Sequence, residues 1–136
     1  MPEVLRVRVA FADTDAMGVA WHGNYLRWFE MARTELMRPT ELPYPVLVGR
    51  GMHLPVIEAQ VRYRKPARYD DLLIVRIVRV HAAGVRLRID YRIECAGALI
   101  VEGHTEHAFT DAAGRVTRPP RDVRDTFTRL AATHGG

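Results

Sequence analysis

One segment near the start of the chain concentrates the residues able to do chemistry: Asp13-Thr14-Asp15-Ala16-Met17-Gly18-Val19-Ala20-Trp21-His22-Gly23-Asn24-Tyr25. It holds two carboxylates, an imidazole, two glycines and two aromatic rings. Asp15 and His22 are separated by a stretch containing Gly18, a residue that permits a sharp turn, so the two side chains can converge. The first N–H groups of a helix lack internal partners and point at whatever precedes it. A carbonyl oxygen held there is polarised by those donors and by the helix dipole. Asp15 would stand opposite it, as a nucleophile or as a general base on water. His22 would orient water, shuttle a proton or hold the carboxylate. Such a set suits acyl transfer or hydrolysis of an activated ester. A structural reading of the same residues stays open: Asx-turns at Asp13 and Asp15, a helix cap at Asn24, a satisfied imidazole at His22.

The elements that must position this segment are legible on either side of it. Val4 to Phe11 alternates, with Leu5, Val7, Val9 and Phe11 on one face and Arg6 and Arg8 on the other, which predicts a half-buried strand. From Asn24 to Met37 the period becomes helical. Tyr25, Trp28, Phe29, Ala32 and Leu36 share a face, Arg27, Glu30, Arg33, Thr34 and Arg38 supply much of the rest, and Pro39 stops the run. Glu41 to Gly51, rich in proline and glycine, reads as a loop or short irregular helix. Pro55 to Tyr63 alternates as a second strand, broken at Lys65-Pro66. Leu72 to Val80 is apolar on both faces and predicts a more buried strand. Val85 to Cys95 and Leu99 to Thr110 complete the set, with Gly-containing connections that predict hairpins. Pro119-Pro120 opens an amphipathic C-terminal helix carrying Val123, Phe127 and Leu130.

Strand, long helix, then four antiparallel strands predict an α+β domain whose sheet wraps around the helix. One sheet leaves edges and an uncovered face, so self-association is expected. The 136 residues suit a single domain, 1–136, and 48% hydrophobic with 26% charged residues is ordinary for a folded chain. No run of about 18 apolar residues exists to span a membrane. The start, Met1-Pro2-Glu3-Val4-Leu5-Arg6, lacks the apolar segment of a signal peptide. The single Cys95 fits a reducing, cytoplasmic compartment. Net charge is +4, and Lys65 is the one lysine among 20 basic residues. The arginines are dispersed and alternate with apolar residues, which argues against nucleic acid and for an anionic small molecule.

Three other motif readings fail. Asp13-Thr14-Asp15 after a strand has the look of an aspartyl phosphotransferase, but that topology is a parallel sheet and this chain is rich in hairpins. As an EF-hand loop it has Met17 at the fifth position and Asn24 at the twelfth, where ligands belong. His104 and His107 lie three apart on a strand, face opposite sides and cannot share a metal.

In order and spacing, Phe11 to Val19, His22 to Tyr25, Phe29-Glu30 and Arg33-Thr34-Glu35 resemble the hotdog-fold acyl-CoA thioesterases, in the branch of 4-hydroxybenzoyl-CoA thioesterase and its bacterial short-chain relatives. Arg64 to Leu72, Gly103-His104-Thr105 and Gly114-Arg115 with Pro119 resemble further family blocks. The resemblance implies a hotdog fold, a five-stranded antiparallel sheet wrapped around a central helix, assembled as a homodimer and then a homotetramer with active sites at the dimer interface. It implies hydrolysis of an acyl-CoA to a free acid and CoA, with no cofactor beyond the CoA of the substrate. Asp15 takes the place of the catalytic carboxylate. His22 matches the histidine of the bacterial branch, and its N–H falls where the family polarises the thioester carbonyl. Tyr25 and Trp28 would line an acyl pocket or simply fill the helix core. Arg62, Arg64, Lys65 and Arg68 would meet CoA phosphates or form an exposed face; Glu30 and Glu35 read as structural. A non-catalytic acyl-CoA or acyl-carrier binding module, and a hydroxyacyl-thioester dehydratase, are the alternatives on this fold.

Overall fold

The computed structural model describes residues 3–134, so Met1 and Pro2 of the N-terminal stretch lie outside the described residues. Strand β1 spans Glu3–Arg8, helix α1 Asn24–Met37, helix α2 Tyr44–Gly49, β2 Val56–Tyr63, β3 Leu72–Ala83, β4 Arg86–Cys95, β5 Ala98–Ala108 and α3 Arg121–Thr133. The strands form one antiparallel sheet in the order β1-β3-β4-β5-β2, so β2, early in the chain, closes one edge against β5.

The helical period of α1 places Tyr25, Trp28, Phe29, Ala32 and Leu36 against the concave face of the sheet, all buried. The sheet answers with Leu73, Val75 and Ile77 of β3 and Leu87, Ile89, Tyr91 and Ile93 of β4. Phe29 stacks on Tyr91 with ring centroids 4.3 Å apart and planes 6° from parallel. Helix α3 covers one end of the sheet, where Phe127 meets Phe109 edge-on at 5.5 Å. Removing such side chains from water stabilises by roughly 1.5–3 kcal/mol each before entropy is counted.

The structure differs from the sequence pattern in three places. β1 ends at Arg8, and Phe11, expected on its buried face, sits exposed in a short 3-10 turn, Phe11–Asp13. The Asp13 carboxylate accepts the Ala10 N–H at 2.8 Å and bends the chain there. β3 is buried on one face only: Leu72 and Ile74 are half-covered, because the outer face carries paired arginines and carboxylates rather than a second layer. Arg33, expected among the polar residues of α1, is buried.

Candidate active site

The chain reverses between β1 and α1 through a tight loop. Gly18 N–H donates to Asp15 O at 3.0 Å and Asp15 N–H to Val19 O at 2.9 Å, with Gly18 at a φ of +77° that other residues rarely adopt. The loop is tied down on both sides: Ala20 N–H donates to Ala67 O at 2.7 Å and Trp21 N–H to Asp13 O at 2.9 Å. Both carboxylate oxygens of Asp13 are engaged, one by Ala10 N–H and the other by the Arg27 guanidinium at 2.7 Å. Asp13 therefore anchors the loop to α1. Asp15 is exposed; one of its oxygens accepts the Met17 N–H at 2.9 Å, an Asx-turn that orients the carboxylate.

Gly23 caps α1 without a side-chain acceptor. Asn24 is the first helical residue, and its amide donates to Asp13 O at 2.7 Å instead of capping the helix. Trp21 O accepts the Asn24 N–H at 3.0 Å, and His22 O accepts the Tyr63 hydroxyl at 3.1 Å. Within a peptide unit C=O and N–H point opposite ways. Pinning the carbonyls of Trp21 and His22 thus turns the N–H groups of His22 and Gly23 the other way, at the positive end of the α1 dipole.

A cleft of about 400 Å³ opens beside this helix start. Asp15, His22, Tyr25, Arg64 and Lys65 line it, with Tyr63 on its wall. Tyr25 packs edge-on against Tyr63 at 5.6 Å; its hydroxyl accepts the Ala67 N–H at 3.4 Å, and burial raises its pKa. Arg64 is tied to Glu102, while Lys65 makes no ion pair among the described residues. Three residues picked out by the sequence do not line the cleft: Arg68, whose N–H donates to the Asp71 carboxylate at 2.8 Å, Trp28 and Arg62. Trp28 is fully enclosed behind Tyr25, its indole N–H without a partner among the described residues. Arg62 faces a groove on the outer side of the sheet, alongside Arg88 and Arg92. Nothing in the sequence marks Tyr63, which reads as the last apolar residue of an alternating strand. His104 and His107 do face opposite sides, His104 bonded to Glu58 at 3.0 Å and His107 to the buried Thr105 at 2.8 Å.

A carboxylate, an imidazole and a cationic rim, gathered on one cleft beside a helix start, can polarise a carbonyl and deliver an oxygen nucleophile to it. The family model of the thioesterase-like superfamily matches residues 9–127. Acyl-CoA thioesterase YbgC of Haemophilus influenzae is 34% identical over 126 residues, covering 91% of this chain and 93% of its own. The crystal structure of protein TT1821 from Thermus thermophilus superposes with a TM-score of 0.86 at 32% identity, over 98% of this chain and 99% of that one. The DHNA-CoA thioesterase of Staphylococcus aureus superposes with a TM-score of 0.88 at 26% identity, over 96% of this chain and 91% of that one.

Proposed function

The chain belongs to the thioesterase-like superfamily, with the hotdog fold of its structural neighbours, and on that premise we propose that it hydrolyses acyl-CoA thioesters, with Asp15 as the acting carboxylate. The observation that carries the reading is the shared cleft of Asp15, His22 and the start of α1. The thioester carbonyl lies against the N–H groups of His22 and Gly23. In the general-base route Asp15 takes a proton from water, and the water oxygen attacks the carbonyl carbon. The C=O electron pair moves onto the oxygen, where the helix N-terminus holds it, and its return expels the CoA thiolate and leaves the free acid. In the nucleophilic route an Asp15 oxygen attacks first, and water then opens the mixed anhydride. Solvent ¹⁸O recovered in Asp15 after a single turnover marks the second route. His22 positions the water or thiolate. Arg64 and Lys65 meet the phosphates of CoA, which enters as part of the substrate, and no other cofactor is required.

The reading extends to assembly. β2 is an edge strand, and Val56, Ile57 and Tyr63 along it are exposed in the single chain. A second copy pairing with this edge gives a homodimer, and dimers pair into a tetramer. No helix among the described residues is long and apolar enough to cross a membrane; a single, half-buried cysteine supports a reducing cytoplasmic location.

The test is Asp15→Asn assayed against short, long and aromatic acyl-CoAs. Loss of the base or nucleophile lowers kcat by about 10²-fold or more with little change in KM. Turnover within about threefold of wild type would remove Asp15 from the mechanism.

A further inference from the structure

At the other end of β2 lies a larger cleft, of about 600 Å³, between the middle of α1, helix α2 and the segment leading into β2. Arg33 lines it although it is only 8% exposed. Its guanidinium touches two phenols, Tyr44 at 3.3 Å and Tyr91 at 3.4 Å, and no carboxylate among the described residues pairs with it. Burial works against the charge, but the Tyr91 and Tyr44 oxygens outweigh it, and Arg33 stays protonated. A buried cation with no counter-ion is costly, and an open cleft in front of it is where an anion would be bound.

The other charges around that cleft do not fill the role. The carboxylate of Asp111 is taken by Arg115 and by the N–H groups of Ala113 and Arg115, which hold its pKa below the usual range. Glu30, exposed one turn before Arg33, lines the same cleft but makes no ion pair with the guanidinium among the described residues.

The two clefts mark the two ends of β2: Tyr63 belongs to the Asp15 cleft and Val56 to the Arg33 cleft. A two-fold axis through the middle of β2 pairs the strand antiparallel with its copy. Each Tyr63 end then meets the other copy's Val56 end, and each Asp15 cleft opens onto the other copy's Arg33 cleft. An acyl group whose thioester sits beside Asp15 would run across the interface toward that arginine.

We propose that Arg33 is the floor of an anion subsite receiving the far end of the acyl group bound in the second copy's cleft, so that the preferred substrates are acyl-CoA thioesters ending in a carboxylate. Arg33 acts here as a specificity-determining residue. The inference rests on the thioesterase reading and on the β2 dimer.

The experiment compares kcat/KM within pairs of equal length: pentanoyl- and glutaryl-CoA, hexanoyl- and adipoyl-CoA, octanoyl- and suberoyl-CoA, 4-methylbenzoyl- and 4-carboxybenzoyl-CoA. In at least one pair the carboxylate form is favoured by about tenfold or more. Arg33→Met abolishes that preference while holding the methyl-ended substrate within about threefold, and Arg33→Lys restores part of it. If no pair reaches that ratio in the wild-type protein, or if Arg33→Met lowers both members of a pair alike, the anion subsite is overturned. The wild-type pairs alone can overturn the subsite, and Arg33→Lys reads out the role of Arg33 should Arg33→Met fail to fold. Hydrolysis of methyl-ended substrates without a carboxylate preference sinks this inference alone; hydrolysis of none of the eight sinks the thioesterase reading with it.

Discussion

Behind Arg33 runs a chain of hydrogen bonds whose direction is fixed by its two ends. Arg33 can only donate, here to the Tyr91 oxygen at 3.4 Å, and Leu54 O can only accept, here from His107 Nδ1 at 2.9 Å. The Tyr91 hydroxyl therefore donates to Thr105 at 2.7 Å, and Thr105 donates to His107 Nε2 at 2.8 Å. Protonating His107 would put a hydrogen on Nε2, where the chain supplies one already, in a buried site near a guanidinium. Burial first, and the Arg33 charge second, push its pKa down from 6.5 to about 4. Between those values the unfolded chain binds a proton at His107 that the native chain refuses. Stability is thus full above pH 6.5 and falls as the pH drops toward 4. The shift corresponds to roughly 3 kcal/mol. Chemical denaturation of wild type and His107→Gln across that range should show the variant losing less stability on acidification; equal losses would exclude His107 as the source. In the sequence, Asp15 and His22 stand out because a loop brings near neighbours together. Arg33 does not, and His107 shows only as half of a failed metal pair with His104, because what makes them unusual is a partner far along the chain: Tyr91 lies 58 residues beyond Arg33 and Leu54 lies 53 before His107.

At the scale of elements, α1 was the most legible, since period and the following proline both mark its limits and nothing distant moves them. Strand β1 was less so. The alternation runs on to Phe11, but the Asp13 carboxylate takes the Ala10 N–H and turns the chain before Phe11 can join the sheet. Two-sided apolarity in Leu72 to Val80 predicts a more buried strand; instead Arg76 and Arg92 share Glu94 across the outer face. A close fit between elements falls at Gly103 of β5. A Cβ there would run into the Gln60 carbonyl of β2 and come within 3.0 Å of the Phe29 ring of α1. The carbonyl cannot retreat without disturbing the β2–β5 pairing, in which Gly103 faces Val61. Gly103→Ala should cost about 1–3 kcal/mol, a fall of several degrees in Tm. Gly49, at the end of α2, has nothing within 4 Å of such a Cβ and no left-handed φ. Gly49→Ala should leave Tm unchanged or raise it, which separates a steric cost from a general effect of losing glycine. Equal melting of Gly103→Ala and wild type would mean that β2, β5 and α1 do not meet as tightly as described.

For the whole molecule, the question is which surface a second copy would cover. The outer face of the sheet is tiled with pairs: Arg76 with Glu94 at 2.9 Å, Arg88 with Asp90 at 3.1 Å, Arg92 with Glu94 at 3.3 Å. Such a face is content in water. The β2 edge is not. It offers unpaired strand backbone together with exposed Val56, Tyr63 and Ile57, the last 46% exposed. A lysine at position 57 leaves the single chain little changed, because the ammonium reaches solvent there. In a dimer paired through β2 the same ammonium would be desolvated with no carboxylate arranged to meet it. Ile57→Lys should therefore keep a cooperative melt while its mass in solution drops from a multiple of 15.5 kDa to that of one chain. Acyl-CoA turnover should fall with the mass, since each Asp15 cleft would lose the wall that the other copy supplies. Light scattering on both proteins, read beside the activity, decides between edges. A wild-type protein that turns over substrate as a monomer removes the need for the second copy, and a variant that still assembles moves the interface away from β2.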